Sequence, residues 1–313
     1  MDAKETRIVA VDLGGTAIKS ALVSGDGRIL RKEKTPTEPD KGRDAVLANI
    51  ALAIEKVLTP EVSAVGMGSP GHVDTKTGVL SWIENISCLN NCSPREYVAE
   101  KFKLPVHIDN DATNAVKGQY YFGSGRGAKH LLGLTLGTGV GGGLILNGRV
   151  HRGVIDYAGE IGHMTYIPDG MACTCGKRGC LEAYASATAI KRAARSLLKR
   201  GIPSRLSEHE QPDAKIVCDL AREGDESCRQ IVQEAGKALG VVIGSVVNLL
   251  NPDRVVIGGG VADAGDVLFD QVRRYVSRHA LPPAHEQCEI LPGTLGNDAG
   301  ILGCAAMIMM EST

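Results

Sequence analysis

A duplicated α/β fold built from two βββαβα-like halves is predicted by three observations. A strand–Gly/Thr turn–strand–tight turn–strand pattern opens the chain and returns near its middle. Short apolar strands alternate with segments whose apolar residues recur at helical spacing. The 39 glycines of this 313-residue chain gather in a few loops at strand ends, as they do where backbone approaches a ligand.

The elements follow in order. Residues 7–13, 17–23 and 28–34 read as strands, joined by Gly14-Gly15 and by Gly25-Asp26-Gly27. Residues 43–58 read as a helix, with Val46, Ile50, Ile54 and Val57 on one face. A buried strand at 63–67 runs into the turn signal Gly68-Ser69-Pro70-Gly71. Ser93 caps a helix with Pro94 at its first position, ending near Lys103. A strand at 106–108 and a helix at 112–121 complete the first half.

The opening pattern then repeats. Val11-Asp12-Leu13-Gly14-Gly15-Thr16 lies over Leu134-Thr135-Leu136-Gly137-Thr138-Gly139, each followed by an apolar strand and a tight turn. Helices are expected at 181–199, 213–222 and 227–250, a strand at 254–257 ending in Gly258-Gly259-Gly260, and a last helix at 298–310. By analogy of fold, two such halves with facing Gly/Thr hairpins describe the actin-like ATPase (ribonuclease H-like) architecture, two domains with a nucleotide in the interdomain cleft. The expected division is a small N-terminal domain of residues 1–110 plus 298–313. A large C-terminal domain of residues 111–297 carries a metal loop at about 163–180.

Composition narrows the function classes. A hydrophobic fraction of 43% with mixed charge is ordinary for a globular protein. The net charge of −1 gives no general attraction to nucleic acid or to an anionic membrane. Residues 1–7 are polar and lack the apolar stretch of a signal peptide. The longest apolar run, 238–250, is about two-thirds of the ~20 residues a membrane span needs, and reads as a buried helix. Nine cysteines, an odd number and mostly scattered, point to free thiols and a metal site in a cytoplasmic protein, not to a disulfide framework. Cys88 and Cys92 are expected to be plain semi-buried thiols.

The Gly/Thr hairpins carry the first chemistry. Turns of Gly14-Gly15-Thr16 and Gly137-Thr138-Gly139 expose successive backbone N–H groups to phosphate oxygens, and Thr16 and Thr138 add hydroxyls. Asp12, at a strand end, is placed to hold Mg²⁺ or to cap a turn, and Lys19 to offset phosphate charge. Gly258 and Gly259 form a third glycine loop, suited to an adenosine floor or simply to a strand-to-helix turn. Gly137-Thr138-Gly139-Val140-Gly141-Gly142 matches the dinucleotide fingerprint in letters only. That fingerprint needs a helix next, and here an apolar strand runs into Asn147-Gly148. No P-loop motif occurs.

A second constellation is Cys173-x-Cys175-x4-Cys180 with His163 ten residues earlier. Three thiolates and an imidazole suffice for a closed tetrahedral Zn²⁺ site, which is structural because no coordination position stays open. A nucleic-acid-binding zinc module would need a second ligand pair and a basic recognition helix, and neither is present. Asn110-Asp111 follows a strand and opens a helix. There an aspartate is either a helix cap or a carboxylate kept ionised by the helix N-terminus, as a base for a hydroxyl requires. Glu160, His163 and Glu182 bracket the metal loop and suit vicinal sugar hydroxyls. His163 can serve zinc with one ring nitrogen and a hydroxyl with the other.

Together, Asp12-Leu-Gly-Gly-Thr-x-x-Lys19, Gly68-x-Pro-Gly-x-Val-Asp74, Asn110-Asp111, Leu136-Gly-Thr-Gly-Val-Gly-Gly-Gly143, Glu160-Ile-Gly-His163 and Cys173-x-Cys-Gly-x-x-Gly-Cys180-Leu-Glu182 resemble the ROK family of bacterial sugar kinases and related repressors. The resemblance runs nearly the whole chain in order. It implies an ATP-dependent hexose kinase with Asp111 as catalytic base, and Gly71, Asn85, Asn110, Asp111, Glu160, His163 and Glu182 on the sugar. Asp12, Gly14, Gly15, Thr16, Lys19, Gly137, Thr138, Gly139, Gly258 and Gly259 would lie along ATP, with Mg²⁺ in catalysis. Around Asn85 this chain departs from the family's usual Asn-Leu followed by Trp, since Trp82 precedes the Asn. Ala158-Gly-Glu-Ile-Gly-His-Met164 is most similar to the glucokinases, so glucose is the expected sugar. N-acetylmannosamine, N-acetylglucosamine, fructose and allose are the alternatives. A homodimer or higher homo-oligomer is inherited from the same resemblance. The alternative of another class, a sugar-responsive regulator without kinase activity, carries an N-terminal helix-turn-helix; a first strand at about Arg7 is expected to leave no room for one.

Overall fold

A computed structural model describes residues 6–311. Contacts divide the chain into two units: residues 1–126, 152–158 and 297–313, and residues 127–151 and 159–296. Of the expected first domain, residues 1–5 and 312–313 lie outside the described residues.

The first unit holds a five-stranded sheet of β1 (Arg7–Leu13), β2 (Ala17–Ser24), β3 (Ile29–Pro36), β4 (Val62–Ser69) and β7 (Val106–Asn110), in the order β3-β2-β1-β4-β7. β1–β2–β3 is an antiparallel meander, while β1, β4 and β7 run parallel. The three parallel strands therefore end together. One register row carries Asp12, Gly68 and Asp109 side by side, at the ends where α/β sheets place their ligands. β5 (His72–Val73) and β6 (Leu80–Ser81) form a small separate ribbon. α1 (Arg43–Glu55) buries Val46, Ile50 and Ile54 against Val9, Val11, Ile18 and Val65. α2 (Pro94–Phe102) starts at Ser93, whose hydroxyl accepts the Glu96 N–H at 3.3 Å, as its sequence requires.

The second unit repeats that order. β8 (Leu131–Leu136), β9 (Val140–Leu146), β10 (Arg149–His151), β11 (Arg254–Gly258) and β12 (Glu289–Pro292) make the sheet β10-β9-β8-β11-β12, again a meander followed by parallel strands. The duplication expected from the hairpins is thus a duplication of whole sheets. Between β10 and β11 lie α4 (Glu182–Ala185), α5 (Ala187–Lys199), α6 (Ala214–Arg222) and α7 (Glu226–Leu250). The helix expected at 181–199 is broken because Ser186 leaves the helical conformation and caps α5, its hydroxyl accepting the Ala189 N–H at 3.1 Å. α7 is sheathed by α8 (Asp266–His279), whose Leu268, Phe269, Val272 and Val276 face the core; α9 (Pro282–Glu286) follows. Neither α8 nor β12 was among the sequence expectations.

α3 (Asp111–Phe122) and the final helix α10 (Ala299–Glu311) both belong to the first unit. Gly118 of α3 and Gly303 of α10 let the helices touch: a side chain at Gly118 would stand 2.9 Å from the Gly303 nitrogen. That contact moves the boundary expected at residue 110 out to 126. Residues 152–158 form a strap that joins the first unit from a chain position between β10 and the metal loop. No helix among the described residues is long and apolar enough to cross a membrane.

Candidate functional site

In the first unit the expected residues converge at the ends of β1, β4 and β7. The β1–β2 turn closes with the Gly14 N–H donating to Ala17 O at 3.1 Å, and Gly14 O accepts the Thr37 hydroxyl at 2.6 Å. A side chain at Gly15 would stand 3.0 Å from Cβ of Asn85, which puts Asn85 beside this hairpin. Lys19 is paired with Asp12 across β1–β2, and its Nζ lies 3.3 Å from Asp12 Oδ2. Gly300, in the first turn of α10, also faces Asp12: a Cβ there would lie 3.4 Å from Oδ2. Sequence reasoning misses Gly300, because a glycine in a helical pattern names no partner.

Asn110 and Asp111 sit at the corner from β7 into α3. Asn110 Oδ1 accepts the N–H groups of Ala112 (2.9 Å) and Thr113 (3.1 Å), so Asn110 is the cap, a role worth about 1 kcal/mol. Its Nδ2 donates to Gly71 O at 3.0 Å. Gly71 has φ of 78°, and a side chain there would stand 2.8 Å from Ser81 O. Asp111 takes the first helical position, where the positive helix end favours a carboxylate. Gly68 packs tightly on its surroundings: a Cβ there would stand 3.1 Å from Asn114 Nδ2 and 3.2 Å from Cys304 Sγ, with Asp111 Cα in ordinary contact at 3.7 Å. Asp111 Oδ1 also accepts the Ala112 N–H, at 2.8 Å, so Asn110 holds the N-cap position and Asp111 shares one N–H of the first turn with it.

Beneath this corner lies a charged cluster that no motif announces. Asp109 and Lys117 are buried, with side chains 4% and 2% exposed. Asp109 Oδ2 accepts from Lys117 Nζ and, at 2.7 Å, from an Arg152 guanidinium nitrogen; Oδ1 accepts the Asn110 N–H at 2.8 Å. Burial works against the Asp109 charge, yet the two cations hold its carboxyl below the ordinary range. Burial likewise pushes the Lys117 ammonium below its ordinary range, since Lys117 shares a single carboxylate with Arg152.

In the second unit the β8–β9 turn is closed by the Gly137 N–H on Gly139 O at 3.0 Å. Thr138 O accepts the Thr188 hydroxyl at 2.8 Å. Glu182, at the start of α4, accepts the Val140 N–H on Oε2 (3.0 Å) and the Thr174 hydroxyl on Oε1 (3.2 Å). It therefore links the glycine hairpin to the cysteine loop. Gly258 ends β11 and Gly259 follows it; Gly259 has φ of 90° and packs directly on the backbone of Leu136. Both glycine loops thus lie at the ends of adjacent parallel strands, as in the first unit.

His163, Cys173, Cys175 and Cys180 offer ligand atoms that all lie within 4.8 Å of one another. The Cys175 and Cys180 sulfurs are 3.7 Å apart, and Cys173 Sγ is 3.8 Å from His163 Nδ1. Thiolates ~2.3 Å from a tetrahedral Zn²⁺ stand ~3.8 Å from each other, so the donor set fits that ion. Burial, with the two neighbouring thiols, pushes Cys180 up to about 12, whereas Cys175, against the effect of its own burial, is held below the ordinary thiol value by hydrogen bonds from the Lys177 backbone and the other two thiols. His163 turns Nδ1 to the cluster and Nε2 toward Glu160, 3.9 Å from Oε2. The sequence expects zinc on one ring nitrogen and a sugar hydroxyl on the other; here Nδ1 faces the thiols and Nε2 faces the Glu160 carboxylate.

Comparison with known proteins agrees over nearly the whole chain. The ROK family profile matches residues 8–311. A glucokinase of Halalkalibacterium halodurans is 40% identical over 97% of this chain and 95% of that protein. The crystal structure of a ROK family glucokinase from Streptomyces griseus, in complex with glucose and AMPPNP, superposes with a TM-score of 0.82 at 31% identity, covering 96% of this chain and 98% of that one. A ROK family transcriptional regulator, described as a homologue of the E. coli MLC protein, superposes with a TM-score of 0.90 at 25% identity, covering 99% of this chain and 79% of that one.

Proposed function

The chain belongs to the ROK family, and from that premise we propose that it is an ATP-dependent glucokinase, transferring the γ-phosphoryl group to the 6-hydroxyl of glucose. The observation that carries the reading is the Asn110–Asp111 corner. Asn110 caps α3 and docks on Gly71, while Asp111 stands beside it at the positive end of the helix.

In this reading Asp111 accepts the proton of the 6-hydroxyl as that oxygen bonds to the γ-phosphorus. The bond from phosphorus to the bridging oxygen breaks, and ADP leaves with the electron pair. Phosphoryl transfer asks the protein mainly for position and charge, with one acceptor for that proton. Gly71, Asn85, Asn110, Glu160 and His163 hold the hexose. Glu182 braces the β8–β9 hairpin with one oxygen and the cysteine loop with the other, and its remaining lone pairs are left for a sugar hydroxyl. The hairpins at Gly14-Gly15-Thr16 and Gly137-Thr138-Gly139 offer backbone N–H groups to the phosphates. Gly258 and Gly259 floor the adenosine. Asp12 would hold Mg²⁺, which supplies charge neutralisation on the transferring phosphate. Zn²⁺ in the Cys173–Cys175–Cys180–His163 set would be structural, holding the His163 ring so that Nε2 serves the sugar side. We extend the family expectation of a homodimer in the cytoplasm to this chain; light scattering should then give twice the chain mass, and the mass of a single chain would remove the dimer.

The decisive experiment is ADP release across glucose, mannose, fructose, N-acetylglucosamine and N-acetylmannosamine. Glucose should give the highest kcat/KM. Another preferred hexose would remove the glucose assignment, and no sugar-dependent release with any of them would remove the kinase.

A further inference from the structure

Resting on the kinase reading, we propose that Asp109, Lys117 and Arg152 form a positioning clamp for the Asn110–Asp111 corner, with Arg152 delivered by the 152–158 strap. The Asp109 carboxylate precedes the catalytic pair in the chain and is bonded into it. One oxygen holds the Asn110 N–H at 2.8 Å, and the other is held by Lys117 and, at 2.7 Å, by Arg152. Lys117 also donates to Asn114 Oδ1 at 3.1 Å, and Asn114 Nδ2 donates to Met67 O at 3.0 Å. Strand β7, helix α3 and strand β4 are thereby locked to one another directly beneath Asp111.

The strap is tethered at two further points of the same unit. His72 Nε2 lies 2.6 Å from Ile155 O, and Asp156 Oδ2 accepts the Thr75 N–H at 3.1 Å and its hydroxyl at 3.2 Å. The His72 and Tyr157 rings stack 4.7 Å apart. These contacts hold the far end of the strap, residues 155–157, on the first unit, while Arg152 at its near end is held by Asp109 itself. Two cations on one buried carboxylate exceed what neutralisation of Asp109 requires, since Lys117 alone would balance it. Holding buried charges is expensive, and apolar packing would serve stability as well. The surplus cation falls where the corner that carries the base must be held to a fraction of an ångström.

Arg152→Met tests the clamp, because Lys117 still neutralises Asp109 and Arg152 is 28% exposed, so the fold should persist. Expected is a fall in kcat of roughly 10–100-fold. KM for glucose and ATP should change less than about threefold, as for an interaction expressed in the transition state. Arg152→Lys should regain a substantial part of kcat. Asp156→Ala, which loosens the strap without touching Asp109, should leave kcat near the parent value. Unchanged kcat in Arg152→Met, a loss confined to KM, no recovery with Arg152→Lys, or an equal loss in Asp156→Ala would each overturn the clamp. If Arg152→Met does not accumulate as folded protein, Lys117→Met, which leaves Arg152 on Asp109, gives the same reading of kcat by the same criteria. Absence of sugar-dependent turnover in the parent protein would instead sink the kinase reading.

Discussion

Asp109→Asn removes the carboxylate that Lys117 and Arg152 share and leaves Lys117 buried with its side chain 2% exposed. Breaking a buried pair by deleting one partner typically costs about 3–5 kcal/mol, because the remaining charge is stranded. For a unit of this size each kcal/mol lowers Tm by roughly 2–4 °C, so the expected loss is on the order of 6–20 °C. The linkage gives the effect a sign in pH. Lys117 already binds its proton less tightly in the folded state than its ordinary 10.5. Without Asp109 it binds it less tightly still, so the unfolded chain holds more protons and stability rises with pH. The deficit of Asp109→Asn should therefore shrink as pH rises from neutrality toward 10.5. In the parent protein the Asp109 contribution is complete above the ordinary carboxylate value of 3.8 and is lost only as pH falls through its depressed folded value. Thermal unfolding by calorimetry at neutral and alkaline pH measures the first, and the same measurement carried below pH 3.8 measures the second. Adding Lys117→Met to an Asp109→Leu change should recover stability to within about 1–2 kcal/mol, as apolar replacements of buried pairs do. A single Asp109→Asn variant within about 1 kcal/mol of the parent at pH 7 would refute the stranded-charge argument.

Two other outcomes follow from the site. Asp111→Asn should lower glucose-dependent ADP release by about 10²–10⁴-fold, while calorimetry still detects glucose binding, since Asn110 and Gly71 keep their contacts; undiminished turnover removes Asp111 as base. Purified protein should carry one zinc per chain by elemental analysis, and Cys175→Ser should lower both Tm and glucose affinity, because the His163 ring loses its anchor; metal-free protein with parental Tm would refute the zinc site.

Much of the first-order architecture is visible in local chemistry. A Gly-Gly-Thr or Gly-Thr-Gly turn between apolar strands has few conformations open to it, so both hairpins and their duplication are legible from spacing alone. The cysteine cluster is legible for the same reason, since two gaps of one and four residues keep three thiols within reach of one ion. Ser93-Pro94 and Asn110-Asp111 mark helix starts because caps act within one turn. Segments without such local marks go unread. β12 has four residues, and its strand character comes from pairing with β11. α8 carries Leu268, Phe269, Val272 and Val276 at helical spacing, a usable signal among many charged residues.

The remainder depends on residues distant in sequence. Gly118 and Gly303 bring α3 and α10 into one unit, which moves the expected boundary, and nothing in either helix names the other. Asn110, not Asp111, is the cap, a choice of side-chain geometry between two adjacent cap-forming residues. Lys117 lies within the helix expected at 112–121 with no local mark of a partner, and only the fold buries it on Asp109 and brings Arg152 to the same oxygen. Local interactions set the turns, caps and metal-ligand spacing, and so determined the candidate residues. Burial decides which charges must be paired, and only tertiary structure determines burial.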